Sequence, residues 1–318
     1  MTIILLLVSL GLVVIGADWL VDGASAIARK AGVSEFVIGL TIVGFGTSCP
    51  ELVVSLTGAI HGNADISIGN VVGSNIFNTL FILGVTSIIM PVSMTLANRN
   101  RDIPMTLAVT IVLLVCGMSH TLFGTGKTDA LTRIEGFVLL LLFAGYLFYC
   151  FKCDKPCSDV SSEPGKHMKL SMAIILSAAG LAGLIFGGEL FVKSATRLAH
   201  QIGVSDKFIA ITVLAGGTSF PELATCIVAA AKHKDQLALG NILGSNVFNI
   251  LFILGCSSAI TPLSFAGMNM VDIGILVLSA LLLWVWAYTG RKCRIDRQEG
   301  AVMLLCFAAY YIYLFIKL

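Results

Sequence analysis

Charged residues are scarce in this sequence. Asp, Glu, Lys and Arg together make up 12% of its 318 residues, whereas a soluble globular domain carries roughly a quarter. Hydrophobic residues make up 57%, and the mean hydropathy is +0.95. This composition excludes a soluble fold and indicates a protein that crosses a lipid bilayer several times. The net charge of +2 gives no reason to expect a nucleic-acid partner.

Long polar segments are also lacking. The one extended polar stretch is residues 152–169, which is too short for a regulatory calcium-binding domain. No nucleotide-binding motif is present, so a primary pump is excluded. We expect the stretch to be a linker between a first unit, residues 1–151, and a second unit, residues 170–318.

Cysteine and histidine do not form a convincing metal pattern. Most of the nine cysteines lie in apolar segments, where cysteine behaves as a small hydrophobe. Cys150, Cys153 and Cys157 cluster near the end of one span, with His167 as the one candidate fourth ligand. We expect free thiols there rather than a zinc site, and we expect no bound cofactor.

The chain is rich in apolar segments that approach or exceed the roughly 20 residues needed to cross a bilayer. They predict an all-α membrane protein with ten transmembrane helices, the N-terminal segment being the first. The predicted spans are about 2–26, 35–60, 66–90, 103–120, 134–151, 170–197, 206–231, 237–261, 271–289 and 299–316.

An internal repeat relates the two units. Residues 44–51, GFGTSCPE, return as residues 215–222, AGGTSFPE, and residues 69–84 return as 240–255 at the same shift of 171. Five helices is an odd number, so the second unit must start from the opposite side of the membrane. The sequence therefore predicts two inverted five-helix repeats, a common signature of secondary transporters.

The positive-inside rule sets the expected orientation. With the N-terminus outside, 14 Lys and Arg lie in inside loops and 6 in outside loops, which together are the chain's 20. We therefore expect both termini outside and the linker 152–169 in the cytoplasm.

Each repeat carries one carboxylate in the middle of a span, Glu51 and Glu222. Such a residue costs at least about 2.5–3.5 kcal/mol to insert and is a candidate functional group. Gly and Pro break the helix just before it, which is tolerated where the backbone lines a cavity or is buried in protein. We expect 44–47 to be unwound with carbonyls free to face a cation, and Thr47 or Ser48 to cap the helix that Pro50 begins.

The following span in each repeat carries a polar stripe at four-residue spacing, so that its members share a helix face. For Ser74, Asn78, Ser245 and Asn249 we favour contact with ions. For the other amides, ion contact and helix-to-helix hydrogen bonding are equally open. These other amides are Asn70, Asn75, Asn241 and Asn246.

The expected inverted symmetry brings Glu51 and Glu222 together. Two carboxylates about 4 Å apart repel by about 4 kcal/mol at an effective dielectric constant of 20, so a proton or a cation must relieve them. The surrounding groups are carboxylate, hydroxyl, amide and carbonyl oxygens, which suit calcium and also accept sodium.

The two motifs together resemble the alpha repeats of the cation/calcium antiporter superfamily, and specifically its prokaryotic sodium/calcium exchangers. They are GTSCPE at 46–51 with GNVVGSNIFN at 69–78, and the copies GTSFPE at 217–222 and GNILGSNVFN at 240–249. The resemblance extends over essentially the whole chain. It implies a membrane antiporter, not an enzyme, whose substrates are calcium and sodium, and a monomer would suffice for such a site.

The resemblance also implies a ligand set. Calcium would be held by Glu51, Glu222 and the carbonyls of Thr47 and Thr218. Asn78 and Asn249 would flank the middle site. Some relatives have Asp at one of these two positions, so Asn at both puts potassium coupling in doubt. Sodium would use the calcium ligands and, in addition, Ser48, Ser74, Ser219, Ser245 and the carbonyls of Gly44 and Ala215.

Alternatives remain at this point. A proton/calcium or potassium-dependent antiporter would use the same scaffold, a channel is conceivable, and a membrane enzyme could use the two glutamates as an acid/base pair. The symmetry argues against the enzyme, because acid and base need different environments.

Family members slide the first and sixth helices, which here carry Asp18 and Glu189. Glu189 can pair with Lys193, whereas Asp18 has no evident partner, and we favour interfacial acids over a gating role.

Overall fold

The structure, a computed structural model of the chain, describes residues 2–124, 128–153, 168–201, 203, 216–289 and 293–317. In these residues eight helices are long and apolar enough to cross a membrane, and a bent helix pair makes a ninth candidate span. The helices are α1 Thr2–Ala31, α2 Glu35–Thr47, α3 Cys49–Ile60, α4 Ala64–Ile89, α5 Asn98–Gly117, α6 Ser119–Phe123, α7 Arg133–Cys153, α8 Leu170–Gln201, α9 Phe220–Ala231, α10 Asp235–Ile260, α11 Met270–Thr289 and α12 Arg297–Lys317.

Nine of the ten predicted spans correspond to these helices, with bounds that differ by a few residues. The first span runs on to Ala31, because Arg29 and Lys30 can continue the helix beyond the apolar stretch. The predicted seventh span, 206–231, is seen only as α9, and its residues 206–215 lie outside the described part of the chain.

The bent pair α2–α3 contains the first motif, and it corrects one prediction. Residues Gly44–Thr47 are helical rather than unwound, and the axis turns by 50° at the single residue Ser48. Two glycines in a helix cost only about 1 kcal/mol each, whereas Pro50 removes an N–H and crowds the preceding turn. The proline therefore decides where the break falls.

The helices that carry the polar stripes contain π-helical turns, which are wider than α-helical turns, at the stripe. Within α4 the residues Phe77–Ile82 are π-helical, and within α10 the residues Phe248–Ile253 are as well. Each π-helical stretch begins one residue before an asparagine of the stripe, Asn78 or Asn249. Wide turns of this kind are rare and are often found at functional sites.

The core of the fold lies around α10. About 94% of its membrane-length window is buried, against 67% for α4 and 39% or less for the other helices of that length. Glycines permit this packing: a Cβ added at Gly244 would lie 2.4 Å from the carbonyl oxygen of Leu40. The backbones of α10 and α2 are therefore in direct contact here, whereas a Cβ added at Gly69 or Gly73 of α4 would meet nothing within 4 Å.

Short antiparallel strand pairs join the helix ends, which the all-α prediction missed. β1 Val92–Ser93 pairs with β4 Arg294–Ile295, and β2 Ala130–Leu131 pairs with β3 Leu263–Ser264. Each pair has only two residues per strand. Both pairs join loops that are far apart in the sequence, so no local pattern announces them.

Candidate ion-binding site

The two carboxylates sit at equivalent helix starts. Glu51 lies in the first turn of α3 and Glu222 in the first turn of α9, each directly after a proline. The residues before the two helices, Ser48 and Ser219, have nearly the same backbone angles, φ −84° and ψ 9° against φ −87° and ψ 9°. Each carboxylate is only 1% exposed. The N-terminal end of a helix favours negative charge, so both helices stabilise the ionised acid.

The serines before these helices connect the two halves. Ser48 donates its hydroxyl hydrogen bond to Glu222 Oε1 at 2.8 Å, and Ser219 donates to Glu51 Oε1 at the same distance. Neither serine side chain caps its own helix, so the capping prediction is wrong. Each hydroxyl instead donates to a carboxylate, and hydrogen bonds to ionised groups are stronger than bonds between neutral groups. Each half thus holds the carboxylate of the other, and the two acids share one buried site.

Four buried carboxylate and amide oxygens at the site are without hydrogen-bond partners among the described residues. They are the second carboxylate oxygens of Glu51 and Glu222, and the amide oxygens of Asn78 and Asn249. Leaving a buried acceptor unpaired costs about 1–3 kcal/mol, so these four unpaired oxygens destabilise the folded protein. All four are hard oxygen acceptors, which is the ligand type that calcium and sodium take in proteins.

Crossed amide contacts fix the two flanking asparagines. Asn78 Nδ2 donates to Asn246 Oδ1 at 3.2 Å, and Asn249 Nδ2 donates to Asn75 Oδ1 at 3.0 Å. Asn75 Nδ2 donates to the backbone carbonyl of Asn246, and Asn246 Nδ2 donates to Thr79 Oγ1 at 2.8 Å. Asn75 and Asn246 therefore join α4 to α10, while Asn78 and Asn249 keep their oxygens available.

The outermost amides of the stripes also have structural partners. Asn70 Nδ2 donates to the backbone carbonyl of Glu51 at 3.2 Å and to Ser55 Oγ at 3.0 Å. In the second half Asn241 Nδ2 lies 3.3 Å from Cys226 Sγ. The sequence left ion contact and helix-to-helix hydrogen bonding equally open for these amides. The contacts described here are hydrogen bonds between helices.

The other predicted hydroxyl ligands lie at the margin of the site. Ser74 Oγ is 3.5 Å from Glu51 Oε1, a long contact. Ser245 Oγ donates to the Gly44 carbonyl at 3.4 Å rather than to Glu222. The Gly44 carbonyl also accepts the backbone N–H of Ser48.

The remaining predicted ligands are backbone carbonyls. Thr47 is fully buried at the end of α2, and its hydroxyl donates to the Val43 carbonyl at 3.1 Å. Thr218 lies in the turn that precedes α9. Ala215 lies outside the described residues, so its predicted role is not addressed by the structure.

Two acids of α1 are paired by a lysine of the other half. Lys232 Nζ lies 2.7 Å from Asp18 Oδ1 and 2.6 Å from Asp22 Oδ1, so Asp18, for which its own helix offers no partner, finds one in the second repeat. The partner lies more than two hundred residues away, and no spacing rule on α1 could find it. The predicted pair of Glu189 and Lys193 is confirmed, at 2.5 Å.

The predicted cysteine cluster is only partly described. No three His, Cys, Asp or Glu side chains converge among the described residues, and the Cys153 side chain is not described. Cys150 is fully buried in α7. Cys157 and His167 lie outside the described residues.

A membrane protein with several spans, whose core encloses two carboxylates among hydroxyl and amide oxygens, has the architecture of a cation antiporter. Comparison with known proteins identifies the family. The chain matches the family described as "Sodium/calcium exchanger protein" over residues 1–152 and 172–316. It belongs to that family.

Named relatives match along nearly the whole chain. "Putative antiporter CaxA" of Alkalimonas amylolytica is 36% identical, and "Sodium/calcium exchanger MaX1" of Methanosarcina acetivorans is 31% identical; each alignment covers 98% of both chains. The solved structure of the sodium-calcium exchanger NCX_Mj, soaked with sodium and calcium, superposes with a TM-score of 0.82. It is 33% identical and covers 100% of this chain and 98% of its own.

Proposed function

We propose that the protein exchanges sodium for calcium across the membrane by alternating access, with Glu51 and Glu222 as the central ligands. The observation that carries the proposal is the crossed serine contact, in which each half holds one oxygen of the other's carboxylate and leaves the second oxygen unpaired. Two carboxylates match the charge of one calcium ion. Sodium ions that take the same oxygens would exclude calcium, and this competition gives exchange rather than leak.

The ligand assignment follows the resemblance and the geometry together. Calcium would bind the two carboxylates and the carbonyls of Thr47 and Thr218, with Asn78 and Asn249 beside it. Their unpaired oxygens support this placement. Sodium would in addition use Ser48, Ser74, Ser219, Ser245, Gly44 and Ala215. Ser48 and Ser219 donate to a carboxylate at 2.8 Å, and Ser74 lies 3.5 Å from one.

We propose that residues 1–151 and 170–318 form inverted five-helix repeats joined by a cytoplasmic linker, 152–169. The loop contacts support this arrangement. Strands β1 and β4 belong to two loops assigned to the inside, and β2 and β3 to two loops assigned to the outside. Both termini would then face outward from a bacterial-type plasma membrane.

A proton/calcium antiporter is the second candidate, because unpaired carboxylate oxygens can take protons as readily as metal ions. Potassium coupling is less well supported, since both flanking residues are Asn, so the site holds only two carboxylates. The family membership itself argues for a transporter rather than for an enzyme.

The test is calcium uptake into proteoliposomes with sodium, potassium and proton gradients imposed one at a time. We expect uptake only when sodium can leave the vesicle. Uptake driven by a pH gradient in sodium-free buffer would instead establish the proton antiporter. Calcium flux without any counter-gradient, at a rate unaffected by sodium, would indicate a channel.

A further inference from the structure

Helices α1 and α8 form a tightly joined pair. A Cβ added at Gly180 would lie 2.5 Å from the backbone nitrogen of Leu20, and one added at Gly16 would lie 2.8 Å from the Gly180 carbonyl oxygen. The two backbones are thus in direct contact. Only 28% of the membrane-length window of each helix is buried, against 94% for α10, so the pair lies at the periphery of the core.

The pair covers the two helix starts that carry the carboxylates. The Leu181 side chain of α8 lies against Gly46, where a Cβ would come within 2.8 Å of it. Farther along α8, a Cβ at Gly188 would lie 3.6 Å from Pro221, the residue before Glu222. The resemblance to exchangers implies that this pair slides relative to the core, and these contacts place the moving surface next to both carboxylate-bearing helices.

One ion-pair cluster ties this pair to the core. Lys232 follows α9, the helix that carries Glu222, and its ammonium group contacts Asp18 and Asp22 of α1. The same group donates to the Asp18 carbonyl at 3.3 Å. Burial lowers the pKa of Lys232, but its hydrogen bonds to the two carboxylates outweigh burial and raise the pKa, so the ammonium group stays charged.

At the opposite end of the molecule, the residues at the equivalent positions do not make such a tie. At the repeat shift of 171, Glu189 and Lys193 replace Asp18 and Asp22, and His61 stands where the second half has Lys232. Glu189 pairs with Lys193 within α8. His61 Nδ1 lies 2.8 Å from the Thr57 carbonyl of its own helix. Among the described residues, the equivalent positions at the two ends therefore differ: those at the Lys232 end link the pair to the core, and Glu189, Lys193 and His61 do not.

We propose that Lys232, Asp18 and Asp22 form a latch that favours the conformer closed at the Lys232 end, and that ions enter or leave at that end only when the latch opens. This inference rests on the proposed alternating access. The latch is suited to repeated opening, because Lys232 is 28% exposed and the two carboxylates 48%. Ion pairs with this much exposure are weak.

The latch can be tested with Cys49, which is half-buried and lies two residues before Glu51. In a chain where Cys49 is the only cysteine, a membrane-impermeant thiol reagent is applied to sealed vesicles from either face. We expect Lys232→Gln to raise the labelling rate from the Lys232 end, relative to the His61 end, by about three- to tenfold, as weak ion pairs allow. Lys232→Arg should restore the original ratio.

Lys193→Gln is the matched control, because it removes the same charge but breaks a pair within α8 alone. An unchanged ratio in Lys232→Gln, or an equal change in Lys193→Gln, would overturn the latch. If Lys232→Gln fails to fold, the double variant Asp18→Asn with Asp22→Asn should give the same shift. If the wild type exchanges calcium but no variant changes the labelling ratio, the latch is refuted and the proposed function is not. If the wild type exchanges no calcium under any gradient, the proposed function is refuted, whatever the labelling shows.

Discussion

Replacing Glu51 by Gln gives the sharpest test of the carboxylate assignment. Gln keeps an oxygen that can accept the Ser219 hydrogen bond, so the contact at 2.8 Å between the halves is retained. What changes is the second oxygen, which is buried and unpaired among the described residues. In the variant an amide N–H₂ can take this place, and it cannot bind a cation.

The expected size of the effect follows from burial. Glu51 is 1% exposed, so bulk water does not screen its charge from an ion in the site. At 4 Å and an effective dielectric constant of 20, a pair of unit charges is worth about 4 kcal/mol. This corresponds to about a thousandfold in affinity, and the double charge of calcium makes it a lower bound.

The assay is sodium-driven uptake of radioactive calcium into proteoliposomes, with thermal unfolding measured on the same preparation. Glu35→Gln is the matched control, because Glu35 is a partly exposed acid that pairs with Lys234 at 2.9 Å, away from the site. Its loss should leave uptake within a few-fold of the wild type. Uptake by Glu51→Gln within tenfold of the wild type would refute the assignment of Glu51 as an ion ligand.

Three further outcomes are expected. Ser48→Ala removes the hydroxyl that donates to Glu222. Because a hydrogen bond to a charged group is lost, the sodium concentration for half-maximal exchange should rise about ten- to a hundredfold. A change in the calcium dependence alone would contradict the assignment of Ser48 as a sodium ligand. Gly244→Ala forces a Cβ to within 2.4 Å of the Leu40 carbonyl and should cost about 1–3 kcal/mol of stability, so an unchanged thermal midpoint would show that the backbones can separate freely. Asn246→Ala strands buried hydrogen-bond partners on a facing helix, at about 1–3 kcal/mol for each group left unpaired, and a variant that unfolds at the wild-type temperature would count against this network.

The site was largely predictable because its residues stand in two copies. Glu51 and Glu222 were identified from a charge and a proline inside an apolar span, and the repeat paired them before any contact was known. The serines were predicted as ligands, but their actual partners were not. A serine before a helix normally accepts a hydrogen bond from a backbone N–H of that helix, and only the nearness of the other half gives the Ser48 and Ser219 hydroxyls a carboxylate to donate to.

Local sequence rules also failed to predict the backbone conformation of residues 44–47, where the helical and unwound states differ little in free energy. The sequence suggested an unwound stretch at 44–47, but those residues stay helical and the bend is confined to Ser48. Glycine lowers helix stability only modestly, and surrounding helices can restore it. The partner of Asp18 was missed for a different reason, since Lys232 lies in the other repeat.

The sequence by itself determined that this is a membrane protein and that its two halves are repeats of each other. It also determined that each repeat carries, after a helix break, one carboxylate that is unfavourable to insert into a bilayer. Hydropathy, helical spacing and internal repetition are local or additive properties, so they can be read without a fold. The tertiary structure decided which oxygens are occupied and which stay open. That choice depends on distances between helices from different halves, where a hydroxyl of one copy donates to the acid of the other and leaves the second carboxylate oxygen unpaired.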